Sequence, residues 1–390
     1  MTLPKDFTKC TQALFGEPLW SDFCRGMAED PPTSIRLNPE KCRCGDWDVA
    51  EAEANVPWCS QGRYLKARPS FTFDPLLHAG MYYVQEAASM FIDFVLRRFA
   101  GNKPVTMIDL CAAPGGKSTA ARAALPKGSL LISNEPLRAR AQILAENLLK
   151  WGDEDVIVTN SYPKDFANIG IMADVILADV PCSGEGMFRK DDTAIQEWSL
   201  KNVEKCARLQ REIVTEAWKC LKPGGLLIYS TCTFNTAEDE ENVRFIAEKL
   251  GGDVLDLGVE DDWDITGSLL NGFGKPVYRF IPGTTKGEGL FMAALRKNND
   301  EPQPKAVKKK NKTRAKGNDK ARGNADEDVK QWLKSPDEYD IIRNNDSLTA
   351  IPKAWRATYD LADKNLRVMH AGIPLCEMKG TTAIPAHAHR

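Results

Sequence analysis

Residues 178–186 read ADVPCSGEG, and residues 229–233 read YSTCT. Each places a cysteine, Cys182 or Cys232, just behind an apolar run, and Asp179 stands three residues before the first. A thiolate is the nucleophile that divides one difficult bond-making step into two easier ones. An ordinary thiol with a pKa of about 8.5 is only ~3% thiolate at neutral pH, so such a site needs neighbours that assist it. The alternative use of either cysteine is as a small buried apolar side chain.

Further suggestive residues follow the other apolar runs. Asp109 opens DLCAAPGGKS, Glu135 follows LLIS, and Asn160 follows DVIVT. In an open parallel sheet, ligands bind beyond the carboxyl ends of the strands, which is where these residues fall. Acids and amides also end strands for structural reasons. CAAPGGK does not supply the GxGxxG of dinucleotide folds. It comes closer to the phosphate loop GxxxxGK[ST], matching at Gly116, Lys117 and Ser118 but carrying Cys111 where the first glycine makes the turn. A phosphate-loop NTPase is therefore one alternative. The other is a small-residue turn against which an adenosine lies, with Glu135 accepting hydrogen bonds from its ribose.

The elements that position these residues alternate short β-rich runs with helical patterns, the signature of βαβ units. VTMIDL, GSLLIS, DVIVT, DVILA and LLIYST are the expected strands. GKSTAARAAL and the segment through LRARAQILAENLLKWG are expected helices, the second stopping at Gly152. A long helix over about 200–222 puts Leu209, Ile213, Ala217 and Leu221 on one face before a Pro-Gly-Gly stop at 223–225. TAEDEENVRFIAEKL is expected to begin with a Thr236 cap. VYRFIP and GLFMAALRK read as an antiparallel hairpin. Residues 1–100 are mixed, and the tail from 329 has the short apolar runs of a small β-rich part.

The 390 residues are 43% hydrophobic, enough for one large domain and something smaller. MTLPKDFTKC lacks a basic flank followed by an apolar core, and no window reaches the roughly eighteen apolar residues of a membrane span, so a soluble cytoplasmic protein is expected. Eleven scattered cysteines without a CxxC pair, and four histidines without ligand spacing, three of them in the last 21 residues, suggest neither a disulfide framework nor a metal site. Net charge is −2, but Lys305 to Arg322 holds nine Lys or Arg and one acid, so that stretch is +8 and the rest −10. With almost no large apolar residues, 299–328 is expected to be a disordered basic linker, either a spacer or a tether that neutralises phosphates.

DLCAAPGGKSTA, ADVPCSGEGMFRKD, YSTCTFNTAEDEENV and KGEGLFMA, with VPWC and YYVQEAASM, resemble the RNA 5-methylcytosine methyltransferase family of the NSUN and Fmu type. The likeness runs over roughly 30–296 and is closest to the bacterial branch acting on small-subunit ribosomal RNA. It implies an α/β Rossmann-like S-adenosylmethionine-dependent methyltransferase fold, mostly parallel with an antiparallel edge hairpin. Residues 1–100 would be an N-terminal α/β RNA-binding region, 101–298 the catalytic domain, 299–328 the linker and 329–390 a PUA-like part. The chain ends at AHAHR, earlier than expected of a complete extension, which suggests a truncated tail. The implied cofactor is S-adenosyl-L-methionine, held by Cys111, Ala112, Ala113, Pro114, Gly115, Gly116, Lys117, Glu135, Asn160 and Asp179. At Asn160 an aspartate is common, and the amide still suits adenine.

The implied substrate is small-subunit ribosomal RNA or a pre-ribosomal particle, with transfer RNA the runner-up; the protein is expected to be a monomer without metal. A catalytically silent RNA-binding module is the third alternative. Carbon 5 of cytosine is a poor nucleophile until a thiolate adds at carbon 6 and makes the ring enamine-like. By resemblance Cys232 attacks, Cys182 assists release, and Asp179 stabilises the adduct at N3 in its protonated form. Arg189 and Lys190 are candidates for the target's phosphates, or a solvated pair. Lys117 is expected to hold a carboxylate or a neighbouring loop.

Overall fold

A computed structural model describes residues 2–42, 52–298, 329–380 and 382–386. The basic linker expected at 299–328 and Cys44 lie outside the described residues. The chain opens with α1 (Lys5–Ala28), kinked at Gly16, then β1 (Ser34–Leu37), β2 (Ala52–Val56), β3 (Cys59–Leu65), α2 (Pro75–His78) and β4 (Tyr82–Val84). These strands form a four-stranded antiparallel sheet in the order β2-β3-β1-β4. Helix α3 (Phe91–Phe99) leads into the alternating middle segment.

That segment runs β5 (Thr106–Asp109), α4 (Gly116–Ala124), β6 (Leu130–Asn134), α5 (Arg138–Trp151), β7 (Val156–Thr159), α6 (Pro163–Ile169) and β8 (Ala173–Asp179). It continues through α7 (Asp192–Glu197), α8 (Leu200–Cys220), β9 (Leu221–Thr231), α9 (Glu240–Leu250), β10 (Gly252–Val254), β11 (Tyr278–Phe280) and β12 (Leu290–Lys297). Beyond the linker come β13 (Tyr339–Asn344), β14 (Ser347–Pro352), α10 (Arg356–Asn365), β15 (Val368–Ala371), β16 (Ile373–Lys379) and β17 (Thr382–Pro385).

The central sheet has the order β10-β12-β9-β8-β5-β6-β7-β15. Strands β7, β6, β5, β8 and β9 are mutually parallel, while β12 pairs antiparallel with β9, β10 and β11. This is the mostly parallel Rossmann-like sheet with an antiparallel side. Its strands are apolar on both faces because helices cover both. Met107, Leu131, Val158, Val175 and Ile228 enter one core cluster, and their neighbours Ile108, Ile132, Ile157, Ile176 and Leu227 enter the other. The chain winds outward from β5 to β7, then returns to place β8 on the other side of β5. That reversal opens a crevice at the carboxyl ends of β5 and β8, where Asp109 and Asp179 stand.

Helix α8 runs to Cys220 and ends ahead of Pro-Gly-Gly, as expected, and Pro-Gly-Gly itself lies inside β9, where a Cβ on Gly225 would approach Lys222 O to 2.8 Å. One local expectation fails. Thr236 caps nothing: α9 begins at Glu240, because Asp239 and Glu240 are drawn inward to a buried arginine. In the tail, β13-β14-β16-β17 form an antiparallel sheet over a core containing Leu348, Leu375 and Met378, whereas β15 joins the central sheet beside β7.

Candidate active site and cofactor cradle

The loop from Cys111 to Gly116 leaves β5 and turns into α4. Gly115 has φ 114°, in the left-handed region where a side chain is strained. The turn is held by its carbonyls: Asn147 Nδ2 donates to Pro114 O at 2.8 Å, and Arg140 Nη2 to Ala113 O at 2.7 Å. Ala112 N–H donates to Asn134 O at 2.8 Å, so Cys111, Ala112 and Ala113 are packed against β6. Burial pushes the Cys111 thiol well up, making it an inert packing group. From the N-terminal sheet, buried Arg36 donates to Thr119 Oγ1 at 2.6 Å and Gln85 Oε1 at 2.8 Å while lying over Trp151. Nothing in the pattern of residues 30–40 signalled this clasp, since an isolated arginine reads as solvated.

Asp109 does not face the crevice as a free acid. It is buried, and Ser118 Oγ donates to its Oδ2 at 2.6 Å. Burial pushes Asp109 up to about 7 from 3.8, against that hydrogen bond. The folded protein therefore holds the proton more tightly than the unfolded chain. The stability from this group is complete below pH 3.8 and is lost as pH rises through about 7. Denaturation of wild type and Asp109→Asn from about pH 4 to pH 8 should show the wild type losing the greater stability. Parallel profiles would refute this assignment.

At the end of β6, Glu135 is buried, accepts from Leu137 N–H at 3.0 Å through Oε1, and has no hydrogen bond at Oε2, 3.6 Å from Arg140. A buried acceptor without a donor implies a ligand hydroxyl or water. Asn160, after β7, donates from Nδ2 to Glu135 O and Pro136 O, both at 2.8 Å. Its amide nitrogen is therefore spent on the Glu135 turn, and only Oδ1 is left for a ligand.

Asp179 accepts from Lys117 Nζ at 2.9 Å and from Ser230 Oγ at 2.6 Å. Burial alone would lower the Lys117 ammonium, but Asp179 outweighs it and the net shift is upward. Lys117 thus holds a carboxylate, one of its two expected uses.

Cys182 and Cys232, fifty positions apart, meet with sulfurs 3.0 Å apart. Cys232 N–H also donates to Cys182 Sγ at 3.4 Å. The hydrogen bond to Cys232, and then burial, push the Cys182 thiol well above its ordinary range. Cys182 thus holds its proton, and either sulfur can donate in the contact between them.

Two buried acids, Glu185 and Glu238, tie together the loops that carry the two thiols. Glu185 accepts from Phe234 N–H at 2.6 Å, Asn235 N–H at 3.1 Å and Trp198 Nε1 at 3.0 Å. Glu238 accepts from Ser183 N–H at 3.0 Å and Gln210 Nε2 at 2.7 Å. Asn235 Nδ2 donates to both acids. Gly186 N–H donates to Cys232 O at 2.8 Å, and a Cβ there would lie a tight 3.1 Å from that oxygen. The signal for these residues was the density of acids in motifs beside the cysteines.

Arg189 is neither a phosphate ligand nor a solvated residue. Only 6% of its side chain is exposed; it pairs with Glu288 at 3.0 Å and donates to Gly26 O and Gly287 O. Lys190, 35% exposed, shares Glu288 at 3.4 Å. A cleft of about 1030 Å³ is lined by these two residues together with Lys66, Arg68, Glu86 and Lys286 rather than by the cysteines. Among the described residues there is no cluster of His, Cys, Asp or Glu able to hold a metal, and no helix long and apolar enough to cross a membrane.

Known proteins are similar to this chain. Ribosomal RNA small subunit methyltransferase F of Escherichia coli (strain K12) is 32% identical over 315 residues, covering 78% of this chain and 65% of that protein. The namesake from Shigella dysenteriae serotype 1 is 33% identical over 302 residues, covering 74% and 62%. The chain therefore spans just under two thirds of the length of these curated relatives. Among solved structures, a methyltransferase homolog protein from Pyrococcus horikoshii matches with TM-score 0.65 and 26% identity, covering 75% of this chain and 95% of that one. Residues 3–87 match the profile described as the N-terminal domain of 16S rRNA methyltransferase RsmF. Residues 99–296 match that of 16S rRNA methyltransferase RsmB/F, and the chain belongs to this family.

Proposed function

We propose that this protein transfers a methyl group from S-adenosyl-L-methionine to carbon 5 of a cytidine in small-subunit ribosomal RNA, as a monomer in the cytoplasm. The observation that carries this reading is the pair of thiols 3.0 Å apart beside Asp179, on neighbouring loops that leave β8 and β9. The Cys111–Lys117 loop, Glu135, Asn160 and Asp179 would hold the cofactor. The fit is supported by the buried Glu135 Oε2, which accepts no hydrogen bond in the protein and suits the donors of a ribose. When bound, the cofactor supplies an electrophilic methyl group.

The chain's own residues do the rest. Cys232 sulfur forms a bond to carbon 6, and the ring's electrons move towards carbon 5. Asp179, anchored by Lys117 and Ser230, holds the polar edge of the base. Once water takes the carbon 5 proton, the electron pair of that bond re-forms the double bond to carbon 6, the carbon–sulfur bond breaks and its own pair returns to Cys232. Cys182, kept protonated, donates a hydrogen bond to that departing sulfur and makes it a better leaving group.

In this reading residues 1–100 face RNA, 101–298 carry the chemistry and 329–390 form a PUA-like part whose β15 joins the catalytic sheet. Lys66 and Arg68 line the large cleft in positions suited to phosphates. Incubation with methyl-labelled S-adenosylmethionine and ribosomal RNA from a strain lacking the enzyme should label one cytidine, located by bisulfite sequencing. Label in transfer RNA alone, or none, would sink the substrate assignment. If the basic stretch 305–322 is a tether, deleting it should weaken RNA binding and flatten the slope of log affinity against log salt. An unchanged slope would make it a spacer.

A further inference from the structure

The outermost strand beside β7 does not come from the alternating middle segment. Strand β15 lies antiparallel to β7, with Val368 opposite Thr159 and Ala371 opposite Ile157. Just before β15, Arg367 C=O accepts from Asn160 N–H at 2.8 Å, and Arg367 N–H donates to Ser161 Oγ at 3.3 Å across 206 positions of sequence. Asn160 is therefore gripped on two sides, by the tail through its backbone and by the Glu135 turn through Nδ2. The grip rests on packing. Trp355, Tyr359, Leu366 and Ala371 lie in the same buried cluster as Ile157 and Phe166, and Trp355 Nε1 donates to Asp155 Oδ1 at 2.8 Å.

We propose that residues 353–371 are a positioning element of the cofactor site: β15 fixes Asn160, and through it the Glu135 turn, so that affinity for the adenosine half of the cofactor depends on the carboxyl-terminal part of the chain. This rests on the methyltransferase reading above. Its physical basis is that a strand end frays unless its backbone groups are paired, and Asn160 sits where β7 has just ended. Pairing with β15 removes that freedom before the ligand arrives, which lowers the ordering cost of binding.

The test uses the full chain and titration with S-adenosylhomocysteine. Leu366→Ala removes packing beneath the junction, and Trp355→Phe keeps a ring but loses the bond to Asp155. Leu366→Ala should weaken S-adenosylhomocysteine binding about tenfold, within the usual range of coupling between sites. It should raise KM for S-adenosylmethionine more than it lowers kcat and leave RNA affinity unchanged. Trp355→Phe should show the same pattern in smaller measure. In the wild type, S-adenosylhomocysteine should slow hydrogen exchange at 157–161 and 367–371 together. Wild-type affinity in both folded variants, with protection confined to 111–136, would overturn the inference while leaving the cofactor reading intact. No binding by the wild type would overturn both. If Leu366→Ala does not fold, Trp355→Phe and the exchange experiment decide.

Discussion

Cys182→Ala should transfer its methyl group and then remain joined to its RNA, while Cys232→Ala should form no covalent complex and no product. The contrast follows from the 3.0 Å contact between the sulfurs and from the upward shift of Cys182. A thiol that keeps its proton is a poor attacking group but still carries an S–H to offer a neighbouring sulfur that must leave. Without it, the carbon–sulfur bond persists after methylation. Denaturing gels run with S-adenosylmethionine and substrate RNA should show a slow-migrating species for Cys182→Ala, lost again in the double variant. An adduct in Cys232→Ala would reverse the two roles. Its absence from every variant, with the wild type still turning over on the same RNA, would sink the covalent mechanism. Neither substitution should cost much stability, because both cysteines are partly exposed and the hydrogen bonds from Ser183 N–H to Glu238 and from Gly186 N–H to Cys232 O use backbone groups.

Arg279→Leu should destabilise the fold by about 3–5 kcal/mol and lower Tm by roughly 10 °C. Arg279 is 1% exposed; its Nη1 lies 3.0 Å from Asp239 Oδ2 and donates to Phe234 O at 2.9 Å, and its Nε donates to Glu240 Oε1 at 2.9 Å. Asp239 in turn accepts from Thr231 Oγ1 and Thr233 Oγ1, which flank Cys232. Removing the guanidinium leaves two buried carboxylates facing each other without a cation, whereas leucine restores only part of the packing. Thermal denaturation measures the loss. Activity should fall further than stability does, since the Thr231–Thr233 anchor of the nucleophile's loop loosens with it. A Tm within about 2 °C of wild type would show that the network is better solvated than its burial indicates.

Much of the site could be read from the sequence because its chemistry is written in short contiguous runs. DLCAAPGGKS and the cysteine loops each follow an apolar strand, and in a parallel sheet that placement alone puts them at one edge. The strand and helix alternation, the helix stop at Gly152 and the antiparallel β12 were legible for the same reason, being matters of local periodicity and turn chemistry. Arg189 and the Thr236 cap were misjudged because each depended on what the chain meets at long range. Arg189 finds Glu288, 99 positions away. Thr236 loses its helix because Asp239 and Glu240 are taken inward by Arg279.

By itself the sequence determined the class of sheet, the identity of the thiols and acids at its strand ends, and the separation of a basic segment from two apolar ones. Only the tertiary structure decided that Cys182 and Cys232 touch, that Lys117 rather than solvent holds Asp179, that Asp109 is a buried acid, and that β15 completes the sheet next to Asn160. The division has a physical cause. Periodicity reports which face of an element leaves water, and this is a local property of a few residues. Partner choice among polar groups is set by which of them lose water together, and that depends on how the folded chain brings distant segments into one low-dielectric place.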